Sequence, residues 1–371
     1  MRIFIFSFCV SFFTCLIIIR LGKQNRAILD FNLGPQKVHI GKIPRIGGVA
    51  VEVALITMGV FFLIEKRPNY DLIWKIILCS LPFFIIGLIE DVTKRIKANY
   101  RLLFMMLAAI LPFYLINARL IRSSIDIVDK ALSFWLISLF LTVIAIAGFA
   151  NAINIIDGLN GLSGVISILF LGGIGYISFK VGDLALFSIC NALIGAILGF
   201  LVFNYPGGVI FLGDGGAYLI GSIIAMLSIL VVIRNDNISP WFPALLLIYP
   251  IWETVFSIYR RKWKKKSSSI RADNLHLHTL ILKRIVMENN SKNDAKEIVR
   301  QNSFASIYVW VFSSWPVVLA VLFWNKTVIL IGGAIAFIIL YCVFYRSLIK
   351  FRTPKWLFLS NKTNRSLNNP E

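Results

Sequence analysis

Five short stretches of the chain gather carboxylates, amides, cations and glycines. VHIGKIPRIGGVAV carries His39, Lys42, Pro44, Arg45, Gly47 and Gly48. GLIEDVTKRIKANYRL carries Glu90, Asp91, Lys94, Arg95, Lys97 and Arg101. NAINIIDGLNGLSG carries Asn151, Asn154, Asp157 and Asn160. FLGDGGAYLIG carries Gly213, Asp214, Gly215 and Gly216, and RADNLHLHTL carries Arg271, Asp273, His276 and His278. Carboxylate and amide oxygens are hard ligands that suit Mg²⁺, with Mn²⁺ as the alternative. Lysine, arginine and protonated histidine suit phosphate oxygens. Glycine pairs beside charged residues let backbone N–H groups approach an anion. A divalent cation, several cations and backbone donors together equip a site for phosphoryl transfer on a polyanion.

Spacing adds to this. On a helix, Asn151, Asn154 and Asp157 fall within about a third of the circumference and can face one ligand. His276 and His278 are two apart, so they share a side only where the backbone is extended. Taken singly, each cluster has a plainer explanation. Glu90 to Arg95 reads as a helix-end charge cluster, and the asparagines as interhelical glue. The glycine run reads as a turn, and the histidines as solvated loop residues. Their shared location argues against all of these together.

The elements that must position these groups are membrane helices. Hydrophobic residues make up 58% of the 371, with a mean hydropathy of +0.80. A soluble chain carries roughly 45–50% apolar residues with glycine counted in. Eleven apolar runs lie at about 3–19, 46–64, 72–90, 102–118, 132–149, 162–180, 184–203, 215–233, 241–259, 304–323 and 327–345. Each reads as a span. The run at 241–259 contains Pro243, Pro250 and Glu253, which predicts a break or a tilt. The reading is an all-α polytopic membrane protein, with residues 1–346 as one transmembrane domain and 347–371 as a polar tail.

Eleven crossings put the termini on opposite sides. Loops 20–45, 91–101, 150–161, 204–214 and 260–303, together with the tail, then share one face. That face holds 28 of the 38 lysines and arginines. The bias makes it cytoplasmic and puts the N-terminus outside. All five clusters fall on it. The net charge of +20 is accounted for by cytoplasmic loops beside anionic lipid, and no soluble basic domain suggests nucleic acid. The RRKWKKK run is read as lipid-surface anchoring. The five cysteines lie in apolar runs without metal or disulfide spacing. The first apolar run lacks a small-x-small cleavage site and is followed by basic residues, so it is expected to stay as a helix.

The motifs NAINIIDGLNGL and FLGDGGAYLIG, with KIPRIGG and HLH, resemble the polyprenyl-phosphate N-acetylhexosamine-1-phosphate transferases of glycosyltransferase family 4. The likeness runs from about Lys42 to Leu280. It implies a bacterial inner-membrane enzyme of ten or eleven spans with its active site facing the cytoplasm. Such an enzyme needs Mg²⁺, moves a sugar-1-phosphate from a UDP-N-acetyl sugar to undecaprenyl phosphate, and releases UMP. The resemblance places Asp214 and Asn154 at metal and pyrophosphate positions. It gives Asp91 and Asp157 catalytic roles, with Glu90 as first member of the acidic pair. Lys42, Arg45, Arg101, His276 and His278 are then phosphate-binding. Asn151, Asn160, Gly213 and Gly215 complete the set. A homodimer is compatible with this reading.

Three departures stand out: Glu90-Asp91 in place of two aspartates, Asn160 in place of the second aspartate of DGxDG, and no further histidine after His278. They argue against a typical enzyme acting on muramoyl-pentapeptide. The combination IED, DGLNG and ADNLHLH is similar to the branch that starts O-antigen chains with N-acetylfucosamine or N-acetylquinovosamine. A monoalkyl phosphate has its second pKa near 6, roughly, so the acceptor is mostly dianionic at pH 7. Direct in-line displacement is therefore expected rather than a covalent intermediate. The rival class is a transporter or lipid flippase, which also carries polar groups at broken helices. Transporters place these near the midplane of two related halves; here they sit at one face, and no such halves are found.

Overall fold

The computed structural model describes residues 2–22, 29–30, 43–66, 70–263, 275–286 and 295–350. Lys42, His39, Arg271, Asp273 and most of the tail lie outside them.

The helices are α1 (Arg2–Gly22), α2 (Gly48–Ile64), α3 (Tyr70–Thr93), α4 (Ala98–Ala108), α5 (Ile110–Leu115) and α6 (Asp126–Leu132). They continue as α7 (Trp135–Ile156), α8 (Leu162–Lys180), α9 (Leu184–Asn204), α10 (Gly213–Ile233), α11 (Trp241–Leu246) and α12 (Ile248–Trp263). The last three are α13 (Leu277–Ile281), α14 (Ala295–Leu322) and α15 (Thr327–Ile349), with a π-helical turn at Leu282–Val286. Two-residue strands β1 (Leu29–Asp30) and β2 (Ile43–Pro44) pair antiparallel.

Among the described residues, nine helices are long and apolar enough to cross a membrane, counting Ala98–Leu115 as one. The other two expected spans are α2, at 17 residues, and the pair α11–α12. The break predicted near the prolines falls at Leu247. The span expected at 102–118 is interrupted at Ala109 and stops at Leu115.

The expected loops are shorter than the sequence pattern suggested. α7 runs to Ile156, so Asn151 and Asn154 stand on a helix rather than in a loop at 150–161. Glu90 and Asp91 likewise belong to the last turns of α3. Hydropathy marks where apolar character ends. The backbone ladder continues past that point, because its N–H to C=O bonds do not depend on apolar side chains.

α10 is the axis of the bundle, buried along almost its whole length, from Gly213 to Val232. Small residues at its start let its neighbours approach. A Cβ on Gly48 of α2 would lie 2.3 Å from the Gly216 backbone, and one on Gly87 of α3 would lie 2.4 Å from that of Gly215. Gly221 meets the Ala150 backbone of α7 in the same way, its added Cβ at 2.7 Å. Close backbone approach of this kind is how helices associate where lipid removes the usual hydrophobic drive.

These contacts also fix direction. The starts of α2 and α10 meet the ends of α3 and α7. α1 runs alongside α9 in the same sense, with Phe4 at Gly195 and Phe8 at Gly199. The side chain of Asn204, at the end of α9, accepts from Gly161 N–H just before α8 (2.7 Å). One end of the bundle therefore collects the ends of α1, α3, α7, α9 and α12 and the starts of α2, α4, α8 and α10.

Candidate active site

The polar residues meet at that end. Its scaffold is a backbone pairing between two segments far apart in sequence. Phe211 N–H donates to Pro44 O (2.9 Å), Gly47 N–H to Phe211 O (2.8 Å) and Gly48 N–H to Leu212 O (2.8 Å). This pairing sets Arg45 beside Asp214. Gly213 makes the turn into α10 at φ +80°, where a Cβ would lie 2.3 Å from Arg45 O and 2.5 Å from Asp91 Oδ2. Only glycine fits there.

Asp214, 4% exposed, is the centre. Its Oδ1 accepts from Arg45 Nη2 (2.5 Å) and Asn154 Nδ2 (3.0 Å), and its Oδ2 accepts from Arg101 Nη1. Four elements thus converge on one carboxylate: the β2–α2 link, α4, α7 and α10. Arg45 Nε also lies 3.3 Å from Asp91 Oδ1.

Asp91 is occupied differently. Its two oxygens accept the N–H groups of Asp214 and Gly215, each at 2.9 Å. The first N–H groups of a helix have no partners within it, and a carboxylate there is also favoured by the helix dipole. Asp91 therefore ties α3 to the start of α10. Glu90 Oε2 accepts from Ile96 N–H (2.8 Å) and closes the turn into α4, with Oε1 3.9 Å from Arg101.

Asp157 sits one residue past the end of α7, as its C-cap. Ser163 Oγ donates to Asp157 Oδ1 at 2.5 Å. Burial pushes the Asp157 carboxyl up to about 6. The Ser163 hydrogen bond and the Arg45 charge pull it down, and Asp214 pushes it up a little. Asn160 belongs to the packing beneath. Its N–H donates to Asn302 Oδ1 (2.8 Å), its amide donates to Pro206 O (3.2 Å) and Ser303 Oγ (3.1 Å), and its carbonyl accepts from Ser306 (2.7 Å). Asn151 stands one turn before Asn154 on α7 and is half-buried.

The histidines come in from α13. His276 precedes the helix with extended backbone (ψ 150°), and the two imidazoles stack at 5.6 Å, 2° from parallel. A Cβ on Gly158 would lie 2.4 Å from His278 Nε2, so this ring rests on the Asp157–Gly161 turn. His278 is 4% exposed. Burial, helped by neighbouring His276 and opposed by Glu253, pushes it down to about 4, so it is neutral at pH 7. His276 Nδ1 is bonded to Glu253 Oε1 at 2.9 Å.

An apolar groove of about 500 Å³ opens between α7, α10, α11 and α12. It is lined by Gly148, Ala152, Ile229, Pro243, Ile251 and Val255. Arg119 and Arg122 border it at the far end of the bundle, while Ala152 brings its near edge to the level of Asn154 along α7, about 200° round that helix.

Comparison with known proteins accords with this geometry. Residues 73–232 match the family model for glycosyl transferase family 4. A probable undecaprenyl-phosphate N-acetylglucosaminyl 1-phosphate transferase of Bacillus subtilis is 28% identical over 279 residues, covering 73% of this chain and 75% of the relative. A phospho-N-acetylmuramoyl-pentapeptide-transferase of Streptococcus pyogenes is 28% identical over 239 residues, 61% of this chain and 70% of its own. The corresponding protein of Streptococcus thermophilus is 26% identical over 263 residues, 65% and 76%. These matches support the polyprenyl-phosphate hexosamine-1-phosphate transferase superfamily.

Of the clustered residues, Asp91, Arg101, Asn154, Asp157 and Asp214 lie within the matched segment. Arg45 and the histidines lie outside it and are brought in by the fold. Sequence reasoning missed Ser163, whose signal was its place inside the Asn151–Gly164 stretch. It also read Glu253 only as a cause of helix breakage, although a lone acid in an apolar run asks for a partner.

The central donor set could hold one small, hard cation. Among the described residues no three of His, Cys, Asp and Glu are grouped as ligands. Mg²⁺ does not require such a cage, since it is commonly held by one or two carboxylates plus waters and substrate phosphates. Formally, four carboxylates (Glu90, Asp91, Asp157, Asp214) face two guanidinium groups (Arg45, Arg101), which leaves the charge of one divalent cation to be balanced.

Proposed function

We propose that the protein transfers an N-acetylated sugar-1-phosphate from a UDP-sugar to undecaprenyl phosphate at the cytoplasmic face of a bacterial membrane, releasing UMP. As a polyprenyl-phosphate sugar-1-phosphate transferase it serves cell-envelope synthesis. Its lipid-linked product starts a glycan, and by the departures in its motifs we assign that glycan to the O-antigen type. The observation that carries this reading is the convergence of Asp214, Arg45, Arg101 and Asn154 at the same end of the bundle that the apolar groove reaches. A charged reaction centre next to a channel for an apolar chain suits a phosphorylated lipid and little else.

In this reading the polyprenyl chain lies in the groove past Gly148 and Ala152, with its phosphate beside Asn154. An acceptor phosphate oxygen forms a bond to the β-phosphorus of the UDP-sugar, and the bond from that phosphorus to the bridging oxygen breaks. The electron pair leaves with UMP. Mg²⁺, or Mn²⁺ in its place, held by Asp214 and Asn154, would neutralise charge on the pyrophosphate. Arg45 and Arg101, which pair with Asp214, would bind phosphate oxygens of the substrates. Asp157 orients the centre, and Asp91 keeps Asp214 in place. Lys42 and His276 are assigned to the donor phosphates. His278, neutral and buried, supports its neighbour.

The test is Mg²⁺-dependent release of UMP from a panel of UDP-N-acetyl sugars by the purified protein. Undecaprenyl phosphate is present in one arm and absent in the other. Release that needs both lipid and metal supports the reading. Transport of a sugar nucleotide into vesicles without UMP formation would instead make the protein a transporter.

A further inference from the structure

The histidine segment is held by two helices, α12 and α15. Glu253 of α12 is 1% exposed. Its Oε1 is bonded to His276 Nδ1 (2.9 Å), its two oxygens accept Leu277 N–H (3.3 and 3.4 Å), and its Oε2 accepts the Tyr341 hydroxyl of α15 (2.7 Å). Two turns along α12, Arg260 donates to the Leu275 carbonyl and to the Tyr345 hydroxyl. Tyr345 in turn donates to the same carbonyl at 2.9 Å. One rung thus grips the His276 ring and the next peptide, and the other grips the peptide just before it. Every one of these residues lies outside the segment that the family model matches.

We propose that Glu253, backed by Tyr341, is a positioning residue for His276, and that Arg260 and Tyr345 fix the backbone that carries it. The proposal rests on the transferase reading of the site. Burying a carboxylate costs several kcal/mol in real proteins, to an order of magnitude, unless donors surround it. Here the donors are the ring, the following peptide and a phenol, so the burial is tolerated where it orients the imidazole. With Nδ1–H directed to Glu253, Nε2 is the ring nitrogen left to meet a ligand. The His276 side chain is 17% exposed, against 1% for Glu253. The stacked His278 ring then relays this position to the Asp157–Gly161 turn through Gly158. An imidazole oriented by a buried carboxylate behind it is a common way to present the other nitrogen to an anion or metal.

The full-length protein in nanodiscs, with a UDP-N-acetyl sugar and undecaprenyl phosphate, provides the test. Outer-shell partners of this kind typically change affinity or activity about 10–100-fold. Glu253→Ala is expected to lower kcat/KM for the donor by about that factor, with the acceptor KM unchanged. The double variant Glu253→Ala/His276→Ala should lose no more than His276→Ala alone. Tyr341→Phe and Glu253→Gln give smaller losses in the same parameter and carry the test if Glu253→Ala does not fold. Losses that multiply in the double variant, or a donor kcat/KM within about twofold of wild type in Glu253→Gln and Tyr341→Phe, overturn the proposal. A second readout needs no turnover. The chain has three histidines, so selective ¹⁵N-histidine labelling resolves the His276 tautomer. Glu253→Gln should alter it, and an unchanged spectrum overturns the proposal. Should wild type fail to transfer, the spectrum still reports on Glu253, so failure of the transferase reading and failure of this one are told apart.

Discussion

Asp91 and Asp214 are joined through the backbone: the oxygens of Asp91 accept the N–H groups of Asp214 and of the following Gly215, both at 2.9 Å. One aspartate thereby fixes where the other can point. The carboxylate of Asp214 is turned away from α3, toward Arg45, Arg101 and Asn154. In this arrangement Asp91 anchors the site, with both of its oxygens engaged.

The two aspartates should therefore fail in different ways. A hydrogen bond to a charged group contributes about 1.5–3 kcal/mol. Asp91→Asn and Asp91→Ala should both lower thermal stability in detergent and cost several decades of turnover. Asp214→Ala should cost similar turnover with a much smaller loss of stability. Normal melting and normal turnover for Asp91→Asn would refute the anchoring role.

Arg45 and Arg101 occupy the carboxylate that we assign to the cation. Removing one should relieve that competition. Arg45→Gln is expected to bind Mn²⁺ more tightly than wild type in the absence of donor, while turning over more slowly. Electron paramagnetic resonance titration reads the first effect and UMP release the second. Weaker Mn²⁺ binding would mean that Arg45 does not compete for Asp214.

The acidic limb of the pH profile has two candidate sources: Asp157, pushed up to about 6, and the acceptor's own second ionisation, also near 6, roughly. Ser163 separates them. Its hydrogen bond to Asp157 favours the ionised form, so Ser163→Ala raises that pKa further. If ionised Asp157 is needed, turnover is lost as pH falls through its pKa, and in Ser163→Ala the loss begins at a higher pH. A limb that stays in place assigns it to the lipid.

Gly213 combines a positive φ with a backbone contact that leaves no room for a methyl group. Gly213→Ala should break the turn that seats Asp214 and abolish transfer. Gly172→Ala on α8, where nothing lies within 4 Å of the added Cβ, is the matched control and should be active.

Gly148 lines the groove and likewise has open space around its added Cβ. Gly148→Phe should fill the groove without unfolding the bundle. The expected outcome is a higher KM for the polyprenyl phosphate, of about tenfold or more (about 1.4 kcal/mol or more), and an unchanged KM for the donor. A donor effect alone would place the acceptor elsewhere.

Hydropathy alone determined that the chain is a helical bundle, because twenty or so apolar residues leave lipid as their only favourable surroundings. It also located the break in the 241–259 run and placed the polar clusters at one end. Residue types were enough to suggest a cation and a polyanion. The sequence could not say that Asp91 serves α10, that Asn160 is committed to α14, or that Glu253 stands behind His276. Those roles depend on which helices touch, and touching is decided by close approach at Gly48, Gly87 and Gly221 and by the pairing of Pro44–Gly48 with Phe211–Leu212. A carboxylate in a sequence has no direction. Here each acquired one from the donors that tertiary packing set around it, since a buried charge persists only where such donors are already in place.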